Sequence, residues 1–483
     1  MSFKTADSGL QRRSGLVWVT IAGLAAALLA GCGSSPASSP TAQPATPKSL
    51  LTAKACPTAT LSNVKHPVNI DFWESMSNAN ANGQTLTSLT NQFNSSQNQV
   101  HVTLVEQGGY DVTWQKYQAG LTNGQLPVVA QLQDINLQAA IDTQSFLPVQ
   151  ACINASSYST ADYVQRILSY WKVSGIQWAM PFAVSNPVLY YNTIAFQKAG
   201  LNPNTPPGTL PQMIQDAKKL KAAGYQTDLK LDNWHLETWL ATANQPFVNN
   251  GNGRTGRATK AVFNTPIGLK IYTELDQLVR SGLAVTNPST GPDDYDNLLG
   301  VGDGKYGMTI DTSAALGTIE QLLASGKYPG VKLGVGPFPA LSSSISGGVE
   351  PGGSALYISA KSTPIERAAA WKYITYLDNT QSQATWAAGT GYIPVRLSST
   401  KTQTIVNLWK KSPGFEVAYR QLLSGANTPA TSGAVIGDYV AVRAAELSAE
   451  ESMYVDGVSP KNALSAAEKN INALLSSYNQ RVG

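Results

Sequence analysis

Charge is scarce in this chain of 483 residues: Asp, Glu, Lys and Arg together make up 13%, about half the usual share. The net balance is only +4, and no Lys/Arg run or basic stripe occurs, which argues against nucleic acid as a partner. Histidine appears only as His66, His101 and His235, without H-E-x-x-H, and G-x-S-x-G is absent. Zinc-peptidase and hydrolase-elbow chemistry therefore lack a signature, and no cofactor or metal is indicated. Hydrophobic residues still reach 42%, enough for real cores, and the length favours two globular lobes over one.

Cysteine is nearly as rare, with three in all. The first, Cys32, ends a leader. Lys4, Arg12 and Arg13 precede the apolar run Leu16–Ala30, which closes in Leu29-Ala30-Gly31-Cys32. A basic start, an apolar stretch and small residues before a cut site describe a secretory signal peptide over 1–31. The ending resembles the bacterial lipobox, which implies lipidation of Cys32 and a chain anchored to the outer face of the cell membrane. The alternative is an uncleaved anchor, for which the run is short against the roughly 20 residues of a membrane span. Cys56 and Cys152 remain, and in an extracytoplasmic setting an even remainder reads as one disulfide, with two buried free thiols as the other reading. From Cys32 to residue 66 a Ser/Pro/Thr-rich tether is expected, clearest in GSSPASSPTAQPATPKS.

The body alternates strands and helices. Val68–Trp73, Val100–Val105 and Val128–Leu132 read as strands, and Leu86, Leu89 and Phe93 recur at helical spacing between the first two. Further helices are expected at Trp114–Leu121, Leu210–Ala223, Pro266–Ser281, Pro364–Leu377 and Ser459–Tyr478, two of them opening on proline as first turns do. Such alternation predicts an α/β fold with largely parallel sheets. Two stretches match G-x-G-x-x-G, at Gly251, Gly253, Gly256 and at Gly302, Gly304, Gly307. Neither lies between a strand and a helix as a dinucleotide loop must. Asp293, Asp294 and Asp296 lack calcium-loop spacing and read as a solvated turn.

The block Pro181–Pro207, PFAVSNPVLYYNTIAFQKAGLNPNTPP, resembles bacterial family 1 extracellular solute-binding proteins of ABC importers. It is most similar to the glycerol-3-phosphate-binding type and more distantly to maltose-binding protein. Phe72–Met76, Gly108-Gly109-Tyr110, Gly352-Gly353 and Gly391–Val395 add to the resemblance in order along the chain. It implies a two-lobed, periplasmic-binding-protein-like fold of class II, with the ligand cleft between discontinuous lobes joined by a hinge. Lobe one is expected at 67–182 with 338–382, and lobe two at 183–337 with 383–483.

The same resemblance implies the contacts. Tyr110 matches a ligand-binding tyrosine, and Asp134 stands where the family carries a ligand glutamate. Ser185 and Ser313 match binding serines. Trp234 lies near a family tryptophan, one residue out of register. Gly352 and Gly353 would present backbone N–H groups, and Tyr392 is the principal aromatic contact. Rings, carboxylates, hydroxyls and amides in one cleft suit the faces and hydroxyls of a sugar or polyol. Each residue also has a structural reading: turn aromatic, helix cap, turn hydroxyl or core packing. The chain departs from the family at Val435, where an arginine grips phosphate. Valine offers no bidentate, charge-assisted pair, so a neutral ligand is expected before a phosphorylated one. Arg396 is the nearest substitute in sequence. The expected role is a monomeric, lipid-anchored binding lipoprotein that delivers a sugar or polyol to ABC permease subunits without turning it over. Glycerol-3-phosphate or a glycerophosphodiester is the alternative ligand. A secreted glycoside hydrolase, needing two paired carboxylates of which Asp134 and Glu74 are available, is the remote alternative.

Overall fold

The computed structural model describes residues 48–231, 234–288, 296–328, 331–344 and 346–483, with Gln43 and Thr46. The leader, Cys32, most of the tether, and Asp293 and Asp294 lie outside the described residues. Thirteen strands are present among them: β1 Val68–Glu74, β2 Val100–Glu106, β3 Val129–Gln133, β4 Phe146–Leu147, β5 Lys172–Val173, β6 Ile176–Gln177, β7 Met180–Ser185, β8 Pro187–Asn192, β9 Gln226–Leu231, β10 Ala284–Pro288, β11 Tyr306–Thr312, β12 Leu333–Pro337 and β13 Gly352–Ser359.

These form two mixed sheets and a hairpin, β5–β6. The first sheet runs β2-β1-β3-β13-β4 with β7 beside β13; the second runs β10-β9-β11-β8-β12. β1–β2 and β1–β3 are parallel, whereas β13 is antiparallel to β3, β4 and β7. In the second sheet β9 is parallel to β10 and β11, and β8 is antiparallel to β11 and β12. The chain passes from first sheet to second through Asn186 alone, between β7 and β8, and returns between β12 and β13. β7 and β8 are buried at every position, in keeping with their largely apolar sequence.

Helices cover both sheets for local reasons. Asn80 caps Ala81–Ser96, accepting from the backbone N–H of Asn82 and Gly83, and Leu86, Leu89 and Phe93 form its buried face. Pro364–Leu377 opens on a first-turn proline and a Thr363–Glu366 capping box. Part of the expected tether is packed chain. Lys48–Leu51, Ala53–Ala55 and Thr58–Asn63 are short 3-10 turns, and Leu61 and Cys56 join the core. Cys56 is disulfide-bonded to Cys152. Among the described residues no helix is long and apolar enough to cross a membrane.

Candidate functional site

Strand topology decides where the polar side chains gather. Glu74 ends β1, Asp134 follows β3, Trp234 follows β9 and Ser313 follows β11, so each stands at the carboxyl end of a strand, where open α/β sheets bind ligands. β13 enters antiparallel to β3 with Ser354 opposite Gln133, and Gly352 opposite Ser185 of β7. Its glycine start therefore lies beside Asp134 and the crossover. Ser313 N donates to the Asn186 carbonyl at 3.0 Å, and a Cβ at Gly391 would fall 2.4 Å from the Ser313 carbonyl oxygen. A Cβ at Gly352 would come within 2.5 Å of the Trp234 ring.

The aromatic side is a hydrogen-bonded unit. The Tyr110 and Tyr392 hydroxyls are 3.1 Å apart, and Tyr110 donates to Ser354 Oγ at 3.2 Å. Gln131 Nε2 also donates to Ser354 Oγ, at 2.8 Å, and its carbonyl accepts from Ser75 N. Trp386 stacks on the Tyr392 ring at 5.3 Å and 12°, and Phe182 stacks on Trp386. Tyr392 is 6% exposed. Ile393 N donates to the Val184 carbonyl at 2.7 Å, which ties this tyrosine to the crossover. All eight residues expected in the cleft are thus brought into one region, Asp134 through its place beyond Gln133.

The acidic side was not legible in advance. Glu237, one turn after Trp234 in the helix Trp234–Thr242, is gripped by Arg443 Nε and Nη2 at 3.0 Å each and by the Tyr439 hydroxyl at 2.7 Å. Burial pushes the Asp134 carboxyl up to about 6; Arg443 opposes this, Glu237 adds to it, and the Tyr170 hydroxyl donates to Oδ2 at 3.1 Å. Glu350, two residues before Gly352, is raised well above the usual range by burial and then by Glu237. Burial likewise lifts Glu74 to about 7, against a hydrogen bond from Met76 N. The signals available were the position of Glu350 ahead of the glycine pair and of Glu237 on the Trp234 helix face. Tyr439 and Arg443 carried none.

The arginines have other work. Arg254 covers the Tyr170 ring at 4.9 Å and donates to the carbonyls of Tyr170, Gly433 and Ser432. It also lines an open hollow of about 410 Å³ with Lys172, Asn427 and Thr428. Arg396 is bound to Asp162, Tyr158 and the Asp378 carbonyl, so it braces chain crossings instead of facing the cleft. Val435 is 1% exposed in the core, and its N–H donates to the Asn252 carbonyl. No group of three or more His, Cys, Asp or Glu placed to hold a metal occurs among the described residues.

Two mixed sheets linked by short crossovers, with rings, carboxyls and glycine N–H groups where their strand ends meet, define a two-lobed α/β binding fold. The chain belongs to the family described as bacterial extracellular solute-binding protein, matched over residues 88–417. It is 26% identical to the sn-glycerol-3-phosphate-binding periplasmic protein UgpB of Rhizobium meliloti (strain 1021) over 414 residues, 84% of this chain and 93% of that protein. Among solved structures it is similar to UgpB of Mycobacterium tuberculosis in complex with glycerophosphocholine, with TM-score 0.71, 20% identity, and 85% and 99% of the two chains covered. The cyclic alpha-maltosyl-1,6-maltose binding protein of Arthrobacter globiformis is also similar, with TM-score 0.68, 19% identity, and 85% and 100% covered.

Proposed function

We propose that this chain captures a sugar or polyol between its two lobes and hands it to the permease subunits of an ABC importer, binding without turnover. One observation carries the reading. The Tyr110 and Tyr392 hydroxyls lie 3.1 Å apart, Trp234 packs against Gly352, and Gly352 pairs with Ser185, an arrangement that suits flat C–H faces and many hydroxyls. The lobes would close as a hinge on the solute; the expected boundary at 182/183 moves to Asn186, because β7 runs on to Ser185 within the first sheet. Cys32 would carry the lipid that keeps the monomer at the outer face of the membrane; palmitate labelling that survives Cys32→Ser would exclude this.

A neutral ligand is favoured because the Arg443, Arg254 and Arg396 guanidinium groups are committed to Glu237, to backbone carbonyls and to Asp162. A second reading keeps the role but takes glycerol-3-phosphate or a glycerophosphodiester, supported by the similarity to the two UgpB proteins. Calorimetry with trehalose, maltose, glycerol-3-phosphate and glycerophosphocholine separates the two. Tight binding of a phosphate-bearing member with none of the neutral sugars would reverse the preference.

A further inference from the structure

We infer that Glu350 grips the hydroxyls of the bound solute, and that with Asp134 it biases the cleft toward hydroxyl donors over phosphate or carboxylate groups. This rests on the solute-binding reading of the cleft.

Glu350 is 3% exposed, and its Oε1 makes no hydrogen bond within the protein. Buried carboxyl oxygens are ordinarily satisfied, and the neighbouring ones are. Both oxygens of Glu237 are taken by Arg443 and Tyr439, and Asp134 accepts from Tyr170. The cations around Glu350 are spoken for. Arg443 is held by Glu237, Arg254 by carbonyls at 170, 432 and 433, and Arg166 by carbonyls at 349, 422 and 431. Their charge lies close enough to bear on Glu350, yet no donor among them reaches Oε1. The nearby cations therefore do not offset its burial, and the carboxyl is left open in hydrogen bonding at Oε1.

Its position points to the same use. Pro351 separates it from Gly352, on which Trp234 packs and which pairs with Ser185. Beyond Ser185, Asn186 holds Ser313, whose Oγ is also buried and without a hydrogen bond. One open acceptor and one open hydroxyl therefore flank the aromatic rings, as bound hydroxyls require. A phosphate would meet the Asp134 carboxylate, ionised at neutral pH, while the guanidinium donors point elsewhere.

The test uses matched probes, glycerol with sn-glycerol-3-phosphate and glucose with glucose-6-phosphate, together with trehalose and maltose. They are titrated by calorimetry into the whole secreted chain and into Glu350→Gln. The expected result is that a neutral probe binds the unaltered protein better than its phosphate, and that Glu350→Gln weakens it by about tenfold or more while narrowing the neutral-to-phosphate ratio. Unchanged neutral affinity in Glu350→Gln overturns the assignment and leaves the solute-binding reading standing. A phosphate member that binds more tightly than its neutral partner overturns the bias. Binding of no probe to the unaltered chain overturns the sugar or polyol reading and this inference together. If Glu350→Gln lowers the melting temperature of the ligand-free protein, Glu350→Asp decides, because it keeps the carboxyl and withdraws it by one methylene: weakened neutral binding supports the assignment, and unchanged neutral affinity overturns it.

Discussion

Trp234 and Gly352 meet across the two sheets: a Cβ on Gly352 would lie 2.5 Å from Cζ2 of the indole and 3.0 Å from Cε2. Trp234 follows β9 of the second sheet, and Gly352 opens β13 of the first. The contact is therefore one of the points at which the two halves bear directly on each other. Gly352 does not have positive φ, so its backbone tolerates a side chain and the obstacle is the ring. Gly352→Ala is expected to fold with a loss of no more than about 1 kcal/mol, because the indole can swing aside. It should bind solute at least about tenfold more weakly, because that swing carries the ring off the ligand face. The double variant Gly352→Ala with Trp234→Ala removes the clash. Equilibrium titration of the three variants should show non-additive losses; strict additivity would mean that the contact does not couple the halves.

Val435 provides a second prediction. The residue is buried, bonded through its N–H to Asn252, and its carbonyl lies against Gly253. Placing an arginine there buries a charge with no partner and overfills the core. Val435→Arg should cost about 3 kcal/mol or more in urea denaturation and should gain no affinity for glycerol-3-phosphate. A stable variant with new phosphate affinity would mean that this position opens to the cleft.

The sequence reading reached the elements whose causes are local. Period-two alternation in Val100–Val105 marks a strand, and Pro364 marks a helix start. Tyr110, Asp134, Ser313 and Tyr392 were named through short motifs; Asp134 and Ser313 follow strand ends, while Tyr392 joins through Tyr110. Glu350 was missed although it stands just ahead of the glycine pair, and Arg443 was missed because its meaning is non-local. Ser354 reaches Gln131 across 223 residues of chain, and Arg443 reaches Glu237 across 206. No spacing rule announces either meeting. The start of the packed body was also missed: Ser, Thr and Ala composition suggested tether, while Cys56 and Leu61 are buried.

The Cys56–Cys152 bond closes 96 residues of chain. It ties the early 3-10 turns to the helix Gln150–Ser156. Loop closure of that size removes enough freedom from the unfolded chain to stabilise the fold by about 4.7 kcal/mol. Reduction, or Cys152→Ser, should therefore lower the urea midpoint and steepen the slope, because the freed unfolded chain is more expanded. A midpoint insensitive to reductant would show that the bond adds nothing to the global transition.

Asp134 joins stability to binding. Burial lifts its carboxyl from 3.8 to about 6, with Arg443 and Tyr170 lowering it and Glu237 raising it. In the unfolded chain the group ionises near 3.8, and in the folded chain not until about 6. Between those values the unfolded state binds fewer protons, so stability falls as pH rises through this window. The full cost is present at neutral pH. Two pK units correspond to about 3 kcal/mol at most. Asparagine carries none of this and can still accept from Tyr170. Asp134→Asn should therefore melt several degrees above the unaltered protein at pH 7.5, and the difference should close by pH 4. Solute affinity should fall by about tenfold or more, because a charged acceptor is lost. Melting curves across that range decide the matter. A variant less stable than its parent at pH 7.5 would mean that attraction to Arg443 outweighs burial, and that Asp134 serves the fold before it serves the ligand.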